Sequence, residues 1–331
     1  MNNITMVNTE GFKIDEKDRK ILIELQKNSR ASFSEIGKIV KLPKTVVAYR
    51  IKRLVDSGFL NLFCTIINKE KLDYIYARLF LKFQNFNEEI ENKLLEFLKK
   101  KQSMHWVASL NGCYDFGITI LAKNIKELNN IYSEIVYKFS KYILDKELSI
   151  ATEMHYYSFK YIFGDKKFIK EEKNIDKNFK PDRLDFKIIN LIKQNSRLPL
   201  LDISDTLNIT PQTVRTRIKQ LEKNNILQGF RIRVEHKMLG FHHFHTFLNL
   251  SSIDKDKEKQ IINFIESFPS TIHIIKGTGR YDLEFESLLK SHFELYELIA
   301  KIKNQFPQNI QHSDFVLIYK IHDINTVRYG E

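Results

Sequence analysis

Two short segments carry side chains suited to reading DNA. No acidic residue lies between Lys41 and Arg53. Within that stretch, Lys44, Thr45, Ala48 and Tyr49 take the early outward positions of a helix read over 44–57. Side chains placed there reach base edges in a major groove, while Arg50, Lys52 and Arg53, with Lys41 ahead of them, can neutralise phosphates. The matching segment later in the chain offers Gln212, Thr213, Arg215, Thr216, Arg217 and Lys219. Gln212 can pair bidentately with adenine and Arg215 with guanine. Arg231 and Arg233 follow on a β-rich stretch and suit phosphate or minor-groove contact. A second reading makes Arg50 and Arg217 internal ion-pair partners of the acidic first helix. For Thr45, Tyr49, Gln212 and Arg215 the bland alternative is a solvated helix face.

A second chemistry is suggested by two loops, Gly112-Cys113-Tyr114-Asp115 and Gly277-Thr278-Gly279-Arg280-Tyr281-Asp282. Glycines permit unusual backbone angles and leave amides exposed. A bound amino acid needs donors for its carboxylate and an acceptor for its ammonium. Backbone amides and Asp115 or Asp282 are of the right types. Arg280 adds a carboxylate partner that Cys113 cannot supply, so the second loop is the stronger candidate. The competing reading is a plain turn capped by aspartate. His242–His245 holds a histidine cluster in which His243 and His245 share a strand face. No cysteine or carboxylate is obviously placed to complete a metal site, so an interface between sheets is the better expectation.

The elements that must position these residues occur twice. Asp15–Phe63 aligns without a gap on Asp182–Phe230, about 167 residues on, with roughly 15 identical positions. Asn28-Ser29-Arg30 matches Asn195-Ser196-Arg197, and Arg50-Ile51-Lys52 matches Arg217-Ile218-Lys219. Apolar spacing predicts helices over 15–29, 33–40 and 44–57, with a tight turn at 41–43 and a wing at 60–67. Their counterparts fall near 182–195, 200–207 and 211–224, with a wing at 226–235. After each wing the pattern predicts a β-α-β-β-α-β sandwich. The first reads as strand 76–84, helix 87–101, strands 104–110 and 115–122, helix 124–140 and strand 147–159. The second reads as 242–250, 255–267, 271–277, 281–287, 289–305 and 312–321. The fold class is therefore α+β: two winged helix-turn-helix domains alternating with two ferredoxin-like sandwiches. The boundaries are a loose tail at 1–14, helix-turn-helix domains at 15–67 and 182–235, sandwiches at 75–160 and 242–324, and a charged linker at 164–181.

This order resembles the Lrp/AsnC family of archaeal and bacterial transcription regulators. The resemblance runs over nearly the whole chain, twice. It rests on Asp182-Arg-Leu-Asp185 through Asn195-Ser-Arg197, Ile209-Thr-Pro-Gln-Thr-Val214 through Leu221, Leu227-Gln-Gly-Phe230 and Leu239-Gly240. It implies DNA binding, a sandwich that senses small molecules such as amino acids, and pairing through those sandwiches. A tandem chain then looks like such a dimer fused into one polypeptide, an intrachain pseudo-dimer open to further homo-oligomerisation. Two departures stand out. The second recognition helix opens Thr210-Pro211, a side-chain cap followed by proline, whereas the first opens Leu42-Pro43-Lys44 without a cap hydroxyl. Leu239-Gly240 is replaced by Leu72-Asp73 in the first copy.

Composition fits these readings. A net charge of +12 over 331 residues points to a polyanionic partner, here double-stranded DNA. The 2 cysteines, Cys64 and Cys113, have no zinc or disulfide spacing and fit a reducing cytoplasm. No apolar run reaches the ~18 residues of a membrane span, and the start is no signal peptide, so a cytoplasmic protein is expected. No catalytic residue, cofactor or metal is called for. Two other functions compete. The architecture also resembles the two-subunit sirohaem decarboxylases, whose activity needs a basic, histidine-bearing tetrapyrrole cleft. A sensor that has lost DNA binding is the other. The outer strand faces that carry Tyr76, Arg78 and Phe80, and His243, His245 and Phe247, predict that the two sandwiches pack sheet to sheet.

Overall fold

A computed structural model describes residues 13–157, 179–193 and 195–330. Most of the expected tail, nearly all of the expected linker and the end of the strand expected at 147–159 lie outside these residues. The described residues divide into two compact units, each built from both copies: 13–72, 179–193, 195–240 and 329–330 in one, 73–157 and 241–328 in the other. The expected alternation of domains is thus an alternation along the sequence only.

In the first unit, α1 (Glu16–Lys27), α2 (Phe33–Val40) and α3 (Lys44–Asp56) form the first helix-turn-helix. Asp15 caps α1 and Ser32 caps α2, each in a reciprocal box with Asp18 or Glu35. Ile21, Leu22, Leu25, Ile36, Val47, Ile51 and Leu54 recur at helical spacing and are buried together. The second copy supplies α6 (Arg183–Ile192), α7 (Leu200–Leu207) and α8 (Pro211–Lys223). Thr210 caps α8 by accepting from the Thr213 amide, with Pro211 at the first helical position, while Pro43 gives α3 no side-chain cap. The turn before each recognition helix passes through a left-handed residue, Lys41 in one copy and Asn208 in the other.

The expected wings take another form. The strand β1 (Leu60–Ile67) pairs antiparallel with its own counterpart, β6 (Leu227–Val234), with Cys64 opposite Arg231. A single strand after the recognition helix has no partner of its own, and the equivalent strand of the other copy satisfies its backbone groups. The local two-fold so created passes between Ser29 and Ser196, whose buried hydroxyls lie 2.6 Å apart. The Ser29 amide donates to the Phe230 carbonyl at 2.9 Å and the Ser196 amide to that of Phe63 at 2.7 Å. Arg197 donates to the carbonyls of Ser29 and Ala31, and Arg30 to that of Ser196. The paired Asn-Ser-Arg segments are therefore a clasp between copies.

The second unit contains β2 (Ile75–Phe83), α4 (Glu88–Lys99), β3 (Met104–Gly112), β4 (Phe116–Ala122), α5 (Ile125–Phe139) and β5 (Ile143–Tyr156) from the first copy. The second copy adds β7 (His242–Leu250), α9 (Lys255–Ser267), β8 (Thr271–Thr278), β9 (Leu283–Leu289), α10 (His292–Gln305) and β10 (Ile310–His322). Both follow the β-α-β-β-α-β order. Ala77, Leu79, Leu81 and Phe83 face a core shared with Leu94, Leu98, Leu128 and Ile135 of the helices, and Phe244 and Leu248 face its counterpart. The opposite faces meet. Phe80 and Phe247 pack edge to face at 4.9 Å, inside a cluster with Tyr114, Tyr281, Leu110 and Ile318. The sheets also join at both edges into a closed barrel of order β10-β3-β4-β2-β5-β8-β9-β7. The long last strand of each sandwich makes this closure: β5 pairs with β2 along its first half and β8 along its second, and β10 bridges β7 and β3 in the same way.

Candidate nucleic-acid interface and effector loops

The first turns of α3 and α8 present the side chains expected to meet DNA. Lys44, Thr45, Tyr49 and Lys52 are exposed on α3, and Gln212, Arg215, Thr216 and Lys219 on α8. Tyr49 is 68% exposed, a large aromatic ring with no core role. Lys52 makes only a surface pair with Asp56 at 2.9 Å, four residues along the same helix. Thr213 is turned to its own cap, its hydroxyl 2.8 Å from that of Thr210.

Three arginines named with this set are committed elsewhere. Arg50 binds Asp15 at 2.7 Å and Asp18 at 2.9 Å, and Arg53 pairs with the other oxygen of Asp18. Arg217 repeats the arrangement on Asp182 at 2.6 Å and Asp185 at 3.3 Å. Asp18 is fully buried, so its charge needs these partners. The hydrogen bond that Arg50 donates to Asp15 raises the pKa of Arg50, and the one that Arg217 donates to Asp182 raises that of Arg217. Partial burial acts to raise the pKa of Asp182, but the Asp185 amide and Arg217 outweigh it and hold the carboxyl below its usual value. These arginines tie each recognition helix to its first helix, the contact that the ion-pair reading of Arg50 and Arg217 describes. Arg231 and Arg233 lie on the β1–β6 ribbon, where Arg233 donates to Asn61 at 3.1 Å, and not on separate wings.

The effector loops are also more structural than their sequence suggests. Asp115 accepts from the Phe83 amide at 2.8 Å and from Lys82 at 2.7 Å, and Asp282 accepts from the Leu250 amide at 2.7 Å. Both aspartates brace a neighbouring strand. Tyr114 and Tyr281 are buried in the barrel, and Tyr281 donates to Asp314 at 2.7 Å. Gly112 and Gly279 lie at the seams. A Cβ on Gly112 would come within 2.5 Å of the Phe315 carbonyl oxygen, and one on Gly279 within 2.6 Å of a Glu147 carboxylate oxygen. Gly277 is similarly close to the Ile150 carbonyl. Arg280 alone of these residues presents a charged side chain at the surface. Its guanidinium lies 3.2 Å from Asp145, and its amide donates to Glu147 at 2.6 Å. Burial raises the pKa of Glu147 against the pull of Arg280. Asp145 and Glu147 come from the first copy and had no signal in the loop sequence.

The histidine pair lies inside the barrel. His243 meets Glu286 at 2.9 Å and His245 meets Glu284 at 2.7 Å. Sequence reasoning saw no carboxylate there. The signal was the alternation Leu283-Glu284-Phe285-Glu286, which places both acids on one strand face. Among the described residues no group of His, Cys, Asp and Glu side chains is arranged to hold a metal ion. No helix among them is long and apolar enough to cross a membrane.

Two helix-turn-helix motifs with exposed basic and polar recognition helices, each followed by a ferredoxin-like sandwich, define the class of protein. Known proteins agree. The AsnC-type helix-turn-helix domain matches residues 14–55, and the winged helix-turn-helix DNA-binding domain matches 181–228. The HTH-type transcriptional regulator FL11 of Pyrococcus furiosus is 34% identical over 119 residues, covering 35% of this chain and 76% of that protein. The transcriptional regulator AzlB of Bacillus subtilis is 28% identical over 121 residues, 36% of this chain and 77% of its own length. Each match spans about a third of this chain. The siroheme decarboxylase NirDL has the same fold from end to end, with a TM-score of 0.65 over 96% of this chain and 95% of its own, at 14% identity. The chain belongs to the Lrp/AsnC family of helix-turn-helix transcriptional regulators, with two family modules in one polypeptide.

The internal role of Arg50 separates it from its neighbour Lys52. Replacing Arg50 by Met leaves Asp18 with Arg53 and the Asp15 amide and should cost about 1.5–3 kcal/mol in denaturant unfolding. Lys52→Ala should change stability by less than about 0.5 kcal/mol. Equal stability of the two variants would return Arg50 to the DNA-facing set.

Proposed function

We propose that both recognition helices contact one DNA duplex and that α8 carries most of the base discrimination. The clasp through Ser29, Ser196 and the β1–β6 ribbon carries this reading, because it holds the two helix-turn-helix motifs in one compact unit. Arg215 and Gln212 are the exposed side chains whose donors suit guanine and adenine. Lys44, Thr45, Tyr49 and Thr216 fill the matching early positions, with Lys52 and Lys219 placed for phosphates. In this reading the protein is a regulator without catalysis. The tetrapyrrole-decarboxylase alternative is supported by fold likeness alone, and a haem-like absorption band in the purified protein would favour it. Arg215→Ala should cost about 1–3 kcal/mol on the best site and little on random DNA, whereas Lys52→Ala should weaken both and flatten the salt slope by about one unit. Arg215→Ala binding specific and random DNA as the unaltered protein does would remove α8 from base reading.

We further propose that a small zwitterion such as an amino acid acts at the second loop. Arg280 suits its carboxylate, and Asp145 and Glu147 suit its ammonium. The loop follows β8 where that strand pairs with β5 of the other copy, so occupancy can alter how the copies fit together. Arg280→Ala should abolish the effect of an amino acid on DNA binding and leave binding without effector unchanged. An effector response that survives this change refutes the site.

A further inference from the structure

The inner faces of the two sandwiches differ where they meet. Where the first copy has Tyr76, Arg78, Trp106, Gly117 and Thr119, the second has His243, His245, His273, Glu284 and Glu286. Arg78 is 3% exposed and forms an ion pair with Glu284, itself 2% exposed. Its guanidinium also lies 3.4 Å from His245, its own positional equivalent. Glu284 takes further hydrogen bonds from His245 and, across the copies, from Ser149 at 3.2 Å. Burial works against the charge on Glu284, but Arg78 and His245 more than offset it and lower its pKa. The first copy cannot mimic this arrangement. A Cβ on Gly117 would already stand 3.0 Å from the Trp106 ring and 3.3 Å from that of Phe80, so a carboxylate has no room there.

We propose that this buried, one-sided charge set is a pairing code that makes each module accept the other and reject a second copy of itself. Pairing first module with first module would bring Arg78 against a second Arg78 where it now meets His245, with glycine where the neutralising carboxylate should be. Two buried guanidinium groups in that position cannot be desolvated together. Pairing second with second would bury Glu284 and Glu286 twice over with no arginine opposite. Only the unlike pair closes the barrel with its charges matched. An equivalent module from another protein is rejected on the same ground unless it carries the complementary set. Gene duplication gives two surfaces that start out self-complementary, and a charge pair split between them is a direct way to end that ambiguity.

The test uses full-length chains. Arg78→Glu alone sets two acids face to face, and Glu284→Arg alone sets two arginines face to face. Each should melt roughly 10 °C or more below the unaltered protein. Produced together, the two variants can pair their modules between chains. One barrel then holds the original Arg78–Glu284 pair, and the other holds the same pair with its charges exchanged. They should form a two-chain complex, read by light scattering, that melts near the unaltered protein. A neutral series guards against misfit of the reversed pair: Arg78→Met and Glu284→Gln should each lower the melting temperature, and together by clearly less than the sum. A mixed preparation that stays single-chain and low-melting, or additive losses in the neutral series, overturns the proposal.

Discussion

Neither copy can satisfy its own backbone. Each helix-turn-helix is followed by one strand with no partner in its own copy, and each sandwich ends in a strand longer than its own sheet can use. Unpaired amides and carbonyls at such edges are costly if buried and sticky if exposed. The structure resolves this by pairing strands across the copies: β1 with its own counterpart β6, β5 with β8, and, by the same local symmetry, β10 with β3. The other cross-copy contacts follow from these pairings. The Ser29–Ser196 contact sits beside the first, and Phe80 against Phe247 lies between the other two.

Fusion of the modules changes what selection can do with them. A symmetric dimer of single modules must present the same residues twice, while a tandem chain can change one copy alone. The consequences are visible at matched positions. Tyr49 stands where the second copy has Thr216, and Lys44 where it has Pro211. The aromatic cluster of the barrel interior is shared by both copies, whereas its carboxylates and most of its histidines come from the second copy and its arginine from the first. The ion pairs of Arg50 and Arg217 are by contrast kept in both copies, as expected of contacts that fasten one helix to another within a module.

Much of this was legible in the sequence because it is local. The helices of both motifs, the Asp15, Asp182 and Thr210 caps and the order of the sandwich elements follow from spacing within a few residues. The alternation of Phe80 and Phe247 with inward apolar residues announced a second buried face. What escaped was non-local. A strand reads the same whether it forms a wing or a ribbon with a distant copy. Arg50 and Arg217 sit on helix faces where packing and phosphate contact demand the same side chain. Asp115 and Asp282 have the chemistry of a ligand site, yet their oxygens go to strand amides more than thirty positions away. The partners of His243 and His245 lie on another strand, and only register brings Glu284 and Glu286 opposite them.

The two helix-turn-helix motifs, held together across the local two-fold, are proposed to form one reader with two unlike halves. Selection of binding sites from random DNA tests this most directly. The expected outcome is two different half-sites at one fixed separation, about one or two helical turns between centres. A perfect palindrome as the best site, or a single half-site with no preferred companion spacing, would contradict it.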